Sequence, residues 1–321
     1  MTNFPRHLAG ILALGLLSLS PAHAWALRHG DILVADRMNG LILVDAAGTE
    51  QRLFTGYING HGYTDVTTNA AGDVYALDGP GGTIYRIDSS TGAATFVSGG
   101  GTLQSPLTLD IGPDGYLYAV NGGASQGVIR IDAITGQQSM IKPGIIYSFA
   151  ITSDTLAYVA LADSVIQPSF HVCRLDLSTG VTTRAANTAF MNPYAMAATA
   201  DGNILITEYF AKAVSKVFPE IGAVAPVSSG NSFKTPFGVA AEEDGMILVA
   251  DNQGEIGCHP AGDPPVCSGA LFRVDPITGA QVIVSEQGHF LDIAGVEIYR
   301  GPTTPTPTRN ASWGQLKANY R

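Results

Sequence analysis

Residues 247–251 read ILVAD, and a similar apolar phrase occurs five more times along the chain. A second apolar segment follows each copy, such as LFRVD at residues 271–275, and in four copies a Thr-Gly turn comes next. The other copies are ILVAD (Ile32–Asp36), VYALD (Val74–Asp78), LYAVN (Leu117–Asn121), AYVAL (residues 157–161) and ILITE (Ile204–Glu208). Short strands repeated about every forty residues are typical of a β-propeller. The sequence therefore predicts six blades.

Each copy except the first has a further strand before the repeated phrase. PLTLDIGPDG at residues 106–115 and PFGVAAEEDG at residues 236–245 each combine an apolar strand with an Asp-Gly hairpin. We expect residues 293–299, IAGVEIY, to supply the strand that the first copy lacks and to lie beside Ile32–Asp36. This arrangement leaves no free sheet edge at the junction. The predicted fold is all-β: six four-stranded antiparallel blades, closed by a C-terminal strand that completes blade one.

The repeat places one propeller domain at residues 25–300. Residues 1–24 are predicted to be a signal peptide, because Arg6 precedes an apolar run and Ala22-His23-Ala24 fits a cleavage tripeptide. An uncleaved membrane anchor is the alternative. We expect the protein to be secreted or periplasmic, with no membrane span after the signal is removed.

The chain changes character after the last repeat. Residues 301–311 form a linker rich in Pro and Thr, which favours an extended chain. Residues 312–321 are a short tail whose Trp313, Leu316 and Tyr320 would share one face of a helix. Two roles stay open for this tail, namely packing on the propeller and serving as an attachment element.

Charge excludes one class of partner. The chain has 17 Lys and Arg against 27 Asp and Glu, and loss of the signal peptide removes only Arg6, so the mature charge is 16 minus 27, or −11. An acidic surface repels phosphate backbones. We therefore expect no nucleic-acid partner.

Two of the three cysteines flank an insertion in the sixth copy. Cys258 and Cys267 enclose eight residues rich in Pro, and in an exported protein this arrangement favours a disulfide. A metal site that includes His259 is the alternative. Cys173 lies in a predicted strand, where a buried free thiol is expected.

Residues 236–279 contain P-x-G-V-A, D-G, I-L-V-A-D-N and F-R-V-D-P-x-T-G in this order, and they resemble the NHL repeat. The blades at residues 30–299 are also similar to the six-bladed regucalcin and gluconolactonase group. ADGNILITEY at residues 200–209 resembles blades of the streptogramin B lyases. These resemblances imply an architecture and not a reaction, because one fold can carry many functions.

The resemblance to regucalcin-type lactonases implies an axial divalent metal with an Asn after the proline that opens an inner strand. Here Leu107, Tyr194 and Phe237 follow those prolines, and none offers the oxygen ligands that a hard cation needs. We therefore expect the lactonase site to be absent. The lyases imply a histidine base and acidic partners, for which the sequence offers His61 and His289. A calcium or magnesium ion is the only cofactor left open.

Most copies of the repeated phrase end in an acidic or amide residue. These residues could form an acidic ring for cations, but Asp and Asn at strand ends accept hydrogen bonds from turn backbone routinely. One identical role in each blade favours the second interpretation. The residues are Asp36, Asp78, Asn121, Glu208 and Asp251.

The best candidates for a site lie at the starts of the inner strands, which converge on the axial mouth. They are His61, Tyr63, Asp65, Tyr147, Tyr194, Phe237 and Asp292. Aromatic rings with a few carboxylates suit a small organic, carbohydrate or peptide ligand, or another protein. The alternative is that Tyr194 and Phe237 only plug the channel. The sequence thus predicts an exported NHL-like binding or interaction scaffold, with a diverged metal-assisted lyase or lactonase as the other possibility.

Overall fold

The computed structural model describes residues 26–164, 168–252 and 269–302. Within these ranges the chain forms 24 strands in six sheets of four antiparallel strands each. The sheets are arranged as blades around an axis, because each inner strand contacts the inner strands of the two neighbouring sheets. The prediction of an all-β, six-bladed propeller is confirmed. No helix in the described ranges is long and apolar enough to cross a membrane.

Each blade runs from an inner strand at the axis to an outer strand at the rim. In this order, blade one contains β24 (Ile293–Ile298), β1 (Ile32–Asp36), β2 (Gly40–Val44) and β3 (Gln51–Gly56). Blade two contains β4 (Asp65–Thr68), β5 (Val74–Asp78), β6 (Thr83–Ile87) and β7 (Ala94–Gly99). Blade three contains β8 (Pro106–Ile111), β9 (Leu117–Asn121), β10 (Gly127–Ile131) and β11 (Gln138–Pro143).

The remaining three blades follow the same order. Blade four contains β12 (Ile146–Ser153), β13 (Leu156–Ala162), β14 (Phe170–Asp176) and β15 (Thr182–Phe190). Blade five contains β16 (Pro193–Ala198), β17 (Ile204–Glu208), β18 (Ala213–Phe218) and β19 (Ala223–Ser229). Blade six contains β20 (Pro236–Ala241), β21 (Ile247–Asn252), β22 (Gly269–Val274) and β23 (Gln281–Glu286).

Blade one is closed by the last strand of the chain, as predicted. β1 pairs antiparallel with β24, and Ile32 lies opposite Ile298 in this register. The register shifts between Ala35 and Asp36, which indicates a bulge at one end of the ladder. Both long sides of β1 are therefore occupied, by β2 and by β24. The ring closes without a free edge next to the axis.

The hydrophobic core lies between neighbouring blades. All five residues of β1 are buried, and the four apolar ones alternate between two clusters. Leu33 packs with Val74 of blade two, and Val34 packs with Leu248 of blade six. A strand that is apolar on both faces needs a cover on both sides. Each such aliphatic side chain contributes about 1.5–3 kcal/mol on burial.

The cysteine predictions have different outcomes. Cys173 in β14 is free and buried as expected, and burial raises the pKa of its thiol. The predicted disulfide between Cys258 and Cys267 lies outside the described residues, as do the signal peptide and the tail. These three stay predictions.

Candidate functional site

The inner strands converge on a cavity of about 610 Å³ at one end of the axis, here called the mouth cavity. Its walls are the first residues of the inner strands and the loops that follow the second strands. Ligand sites commonly enclose about 300–1,000 Å³ and combine an apolar lining with a few polar groups. The mouth cavity fits this description in both size and lining.

Four aromatic residues from blades five and six form one wall of the mouth cavity, here called the aromatic wall. Phe237 stacks on Tyr194 with ring centroids 4.1 Å apart, and on Tyr209 with centroids 5.4 Å apart. Phe210 meets Tyr209 edge-on at 4.8 Å, and 69% of Phe210 is exposed. Aromatic pairs of this kind contribute about 0.5–1.5 kcal/mol beyond their buried area. The rings of Tyr194, Phe237 and Tyr209 therefore stabilise one another by stacking, and Phe210 extends the wall towards solvent.

The polar side of the mouth cavity is an ion pair between Arg37 and Asp292. Nε and Nη2 of Arg37 donate to the two carboxylate oxygens of Asp292 at 3.0 and 2.6 Å, a bidentate geometry. Nη1 of Arg37 donates to the Tyr194 hydroxyl at 3.3 Å, and the guanidinium carbon lies 4.9 Å from the Phe237 ring centroid. The side-chain amide of Asn252 also donates to Asp292. Burial disfavours the charge of Arg37, but Tyr194 and Asp292 outweigh burial and raise the pKa of Arg37.

Asp36 holds the two segments that carry this ion pair. Its Oδ1 accepts from the backbone N–H groups of Met38 and Asn39, both at 2.8 Å. Its Oδ2 accepts from those of Leu291 and Asp292 at 2.7 and 2.9 Å. Burial raises the pKa of Asp36, although the four hydrogen bonds oppose this effect. One buried carboxylate thus joins the turn after β1 to the segment before β24.

Most of the repeated acidic and amide residues accept hydrogen bonds from backbone, as the sequence predicted. Asp78, for example, accepts from the N–H of Gly81 at 2.7 Å. Four of the five have such bonds, namely Asp36, Asp78, Asn121 and Asp251, whereas for Glu208 burial raises the pKa of the carboxyl. Across residues 26–164, 168–252 and 269–302, no group of three His, Cys, Asp or Glu side chains is placed to hold a metal ion.

The structure brings together four of the seven predicted site residues, and whether they bind a ligand stays a prediction. Tyr147, Tyr194, Phe237 and Asp292 line the mouth cavity. His61, Tyr63 and Asp65 do not. His61 is exposed on the loop before β4, with Nδ1 3.4 Å from Oδ2 of Asp78.

Tyr63 does not face the mouth, contrary to the expectation from the sequence. It is fully buried in the core between blades one and two, edge-on to Tyr85 at a centroid distance of 6.3 Å. The reason is local, because the N–H of Tyr63 donates to the carbonyl of Asp36 and ties this loop to blade one. The ring therefore fills the core, and burial raises the pKa of its hydroxyl.

Asp65 lines a second cavity of about 260 Å³ further along the axis. Asp110 and Glu297, from the neighbouring inner strands, line it as well. Burial raises the pKa of Asp65 to about 7, of Asp110 to about 6 and of Glu297 to about 8. Asp65 accepts from the N–H of Leu109, and Asp110 from that of Ile151. These two carboxylates therefore also join adjacent blades.

Sequence reasoning missed Arg37, Tyr209 and Phe210, which also line the mouth cavity. Arg37 directly follows Asp36, and Tyr209 directly follows Glu208. The end of a second strand and the start of its inner strand lie at the same end of an antiparallel pair. The residues just after the repeated acid therefore face the mouth too. The position directly after the repeated acid is therefore a signal in the sequence for residues that line the mouth cavity.

Comparison with known proteins supports the fold. No family model matches the chain, and a search of curated protein sequences finds no match. Its structure is similar to a chain in a solved structure described as "Crystal structure of Nidogen/Laminin Complex". The TM-score is 0.67 and the identity 12%, over 84% of this chain and 98% of that chain. The chain is a six-bladed β-propeller. Because 1120 solved chains match, the fold alone does not select a function.

Proposed function

We propose that this chain is an exported interaction propeller that binds a segment of a partner protein in its mouth cavity. The aromatic wall beside the Arg37–Asp292 pair carries the proposal. Such a surface combines apolar area with a few directed polar groups, and this combination provides affinity together with orientation.

The rim of the mouth cavity supports a protein partner. Met191 is 73% exposed and Phe210 is 69% exposed. The loops that carry them are adjacent, because the N–H of Tyr209 donates to the carbonyl of Asn192 at 3.2 Å. Exposed apolar side chains around a concavity mark interaction sites, and Met and aromatic residues are enriched at protein interfaces. The structural neighbour is itself part of a complex between two proteins, nidogen and laminin.

Export is part of the proposal and rests on the sequence of residues 1–24, which has the pattern of a cleavable signal. An NHL-like origin of the blades rests on the motifs at residues 236–279. The metal-assisted lyase or lactonase stays an untested alternative.

The experiment is a binding measurement on the mature protein by saturation-transfer NMR. The probes are short peptides, capped at both ends, that carry Phe, Leu or Met. We expect Phe210→Ala and Met191→Ala each to weaken binding by about tenfold, since such anchors contribute about 1–2 kcal/mol. The melting temperature should stay unchanged in Met191→Ala, whose side chain is mostly exposed, and fall by at most about 2–4 °C in Phe210→Ala, which loses its edge-on contact with Tyr209.

The matched control is Ile134→Ala. Ile134 is 95% exposed, but it lies in the turn between β10 and β11 at the opposite end of blade three. Binding by this variant should equal that of the parent. The proposal fails if no capped peptide binds, or if the Ile134 variant loses as much affinity as the Phe210 variant.

A further inference from the structure

We infer that the mouth cavity selects an uncharged amide of the partner segment. Arg37 and Tyr194 donate to the amide carbonyl, and Asp292 accepts from the amide N–H. This inference rests on the proposed function and names the chemistry that the site recognises. Hydrogen-bonding capacity and charge balance lead to it independently.

The donors come from Arg37 and Tyr194. A guanidinium has five N–H groups, and three of those on Arg37 are used by Asp292 and Tyr194. One N–H on each terminal nitrogen has no acceptor among the described residues. The Tyr194 hydroxyl accepts from Arg37 and donates to no described group. A carbonyl oxygen has two lone pairs, so it can accept two of these bonds.

The acceptor is Asp292. Its Oδ1 already accepts from Nη2 of Arg37 and from Asn252, whereas Oδ2 accepts only from Nε of Arg37 among the residues that the structure describes. A carboxylate oxygen has capacity for two hydrogen bonds, so Oδ2 can take one more. An amide carries a carbonyl and an N–H side by side and matches both halves of the ion pair. A ketone or an ether offers no donor to Asp292.

Two buried hydroxyls extend this polar side. Oγ1 of Thr108 and Oγ1 of Thr235 have no hydrogen-bond partner in the described part of the chain, and both residues line the mouth cavity. A buried hydroxyl without a partner costs free energy that a polar ligand can recover. The peptide groups that flank the bound amide are suitable partners, which favours a chain segment over a single small molecule.

Charge balance excludes the charged analogues of an amide. Arg37 and Asp292 are the only formally charged side chains among the described residues that line the mouth cavity, and they neutralise each other. Both are only about one quarter exposed, at 27% and 22%. A carboxylate would be repelled by Asp292 and an ammonium by Arg37. Either ion would also lose its hydration on binding, and the cavity offers no unpaired opposite charge to compensate for that loss.

Three probes of similar size test the selectivity: 3-phenylpropanamide, 3-phenylpropanoate and 3-phenylpropylammonium. Dissociation constants are measured by ligand-observed NMR at pH 7 on the mature protein. We expect the amide to bind the parent protein at least about tenfold more tightly than either ion. This ranking is the first test of the inference, and it requires no variant to fold.

Two variants should then reverse the selectivity in opposite directions. Asp292→Asn removes the negative charge and keeps the shape, so the preference should move to the propanoate. Arg37→Gln leaves Asp292 uncompensated, so the preference should move to the propylammonium. The control Asp132→Asn changes one carboxylate at the opposite end of the molecule, after β10, and should keep the parent ranking.

The outcomes separate this inference from the function on which it rests. Equal binding of the three probes, or a parent preference for an ion, overturns the amide inference while binding at the mouth cavity stands. Loss of amide binding in Phe210→Ala with no reversal in the two charge variants also overturns it. Failure of these probes and of the capped peptides alike overturns both proposals.

Discussion

At the scale of single residues, Glu297 shows how burial near the propeller axis changes the pKa of a carboxyl group. The pKa of this carboxyl rises from 4.5 to about 8, because burial disfavours the charge and outweighs the nearby Arg300, while Asp110 and Asp65 add repulsion. A raised pKa means that the folded protein prefers the protonated acid. The same holds for Asp65, whose pKa rises from 3.8 to about 7.

We therefore predict that the protein becomes more stable as the pH falls from 8.5 to 5.5. Below their unfolded pKa values these acids are protonated in both states and their contribution is complete. It is lost as the pH rises through about 7 and about 8, the folded values of Asp65 and Glu297. Thermal melts across this window measure the effect, and the melting temperature should fall as the pH rises.

The variant Glu297→Gln should flatten this dependence and raise the melting temperature at pH 8.5 by roughly 2–4 °C, the effect of about 1 kcal/mol in a domain of this size class. Glu50→Gln changes an exposed acid on blade one and should keep the parent pH profile. A Glu297→Gln profile as steep as that of the parent would show that burial on the axis does not control the titration.

At the scale of elements, glutamines at the starts of outer strands join neighbouring blades. Gln138, the first residue of β11, donates to Oγ of Ser98 at 3.0 Å and to the carbonyl of Gly100 at 3.1 Å. Its side-chain oxygen accepts from the N–H groups of Thr102 and Leu103 at 2.9 and 3.1 Å. One amide thus completes the turn after β7 of the preceding blade. Gln51 and Gln281 occupy the same position in blades one and six.

We predict that Gln138→Ala lowers the free energy of unfolding by about 1–3 kcal/mol, because the N–H of Thr102 loses its acceptor at the seam between blades. The N–H of Leu103 and the carbonyl of Gly100 also lose one hydrogen bond each, but they keep the one between them. Urea unfolding followed by circular dichroism measures this loss. Gln137→Ala is the matched control, because the side chain of Gln137 is exposed. Its removal should lower the free energy of unfolding by less than about 0.5 kcal/mol. Equal losses in the two variants would contradict a role for Gln138 between blades.

At the scale of the whole molecule, the repeat made the fold predictable, but it did not predict all the residues of the site. Blade number, the second strands and the closing strand follow from a period, because each copy confirms the others. The pairing of Arg37 with Asp292 joins residues 255 positions apart and departs from the repeat. Tyr63 was misplaced for a related reason, since the sequence does not show that the N–H of Tyr63 ties its loop to Asp36 of the preceding blade.

Closure of the ring and assembly of the mouth cavity depend on the same contacts in this molecule. Asp36 accepts from the backbone of Leu291 and Asp292 just before β24, so pairing of β24 with β1 also sets Asp292 against Arg37. A chain that cannot close should therefore lose both stability and ligand binding. The two losses should also be restored together.

Our last prediction tests this coupling by deleting residues 289–321. The deletion removes β24, leaves β1 as an open edge and takes Ile293, Val296 and Ile298 out of the core between blades one and six. We expect association in size-exclusion chromatography and a melting temperature at least about 10 °C lower. A synthetic peptide of residues 289–302 should restore the melting temperature and binding of 3-phenylpropanamide together, since strand addition re-forms the backbone ladder. Deletion of residues 303–321 keeps β24 and serves as the control. A shortened chain that stays monomeric and as stable as the control would show that blade one does not need its last strand.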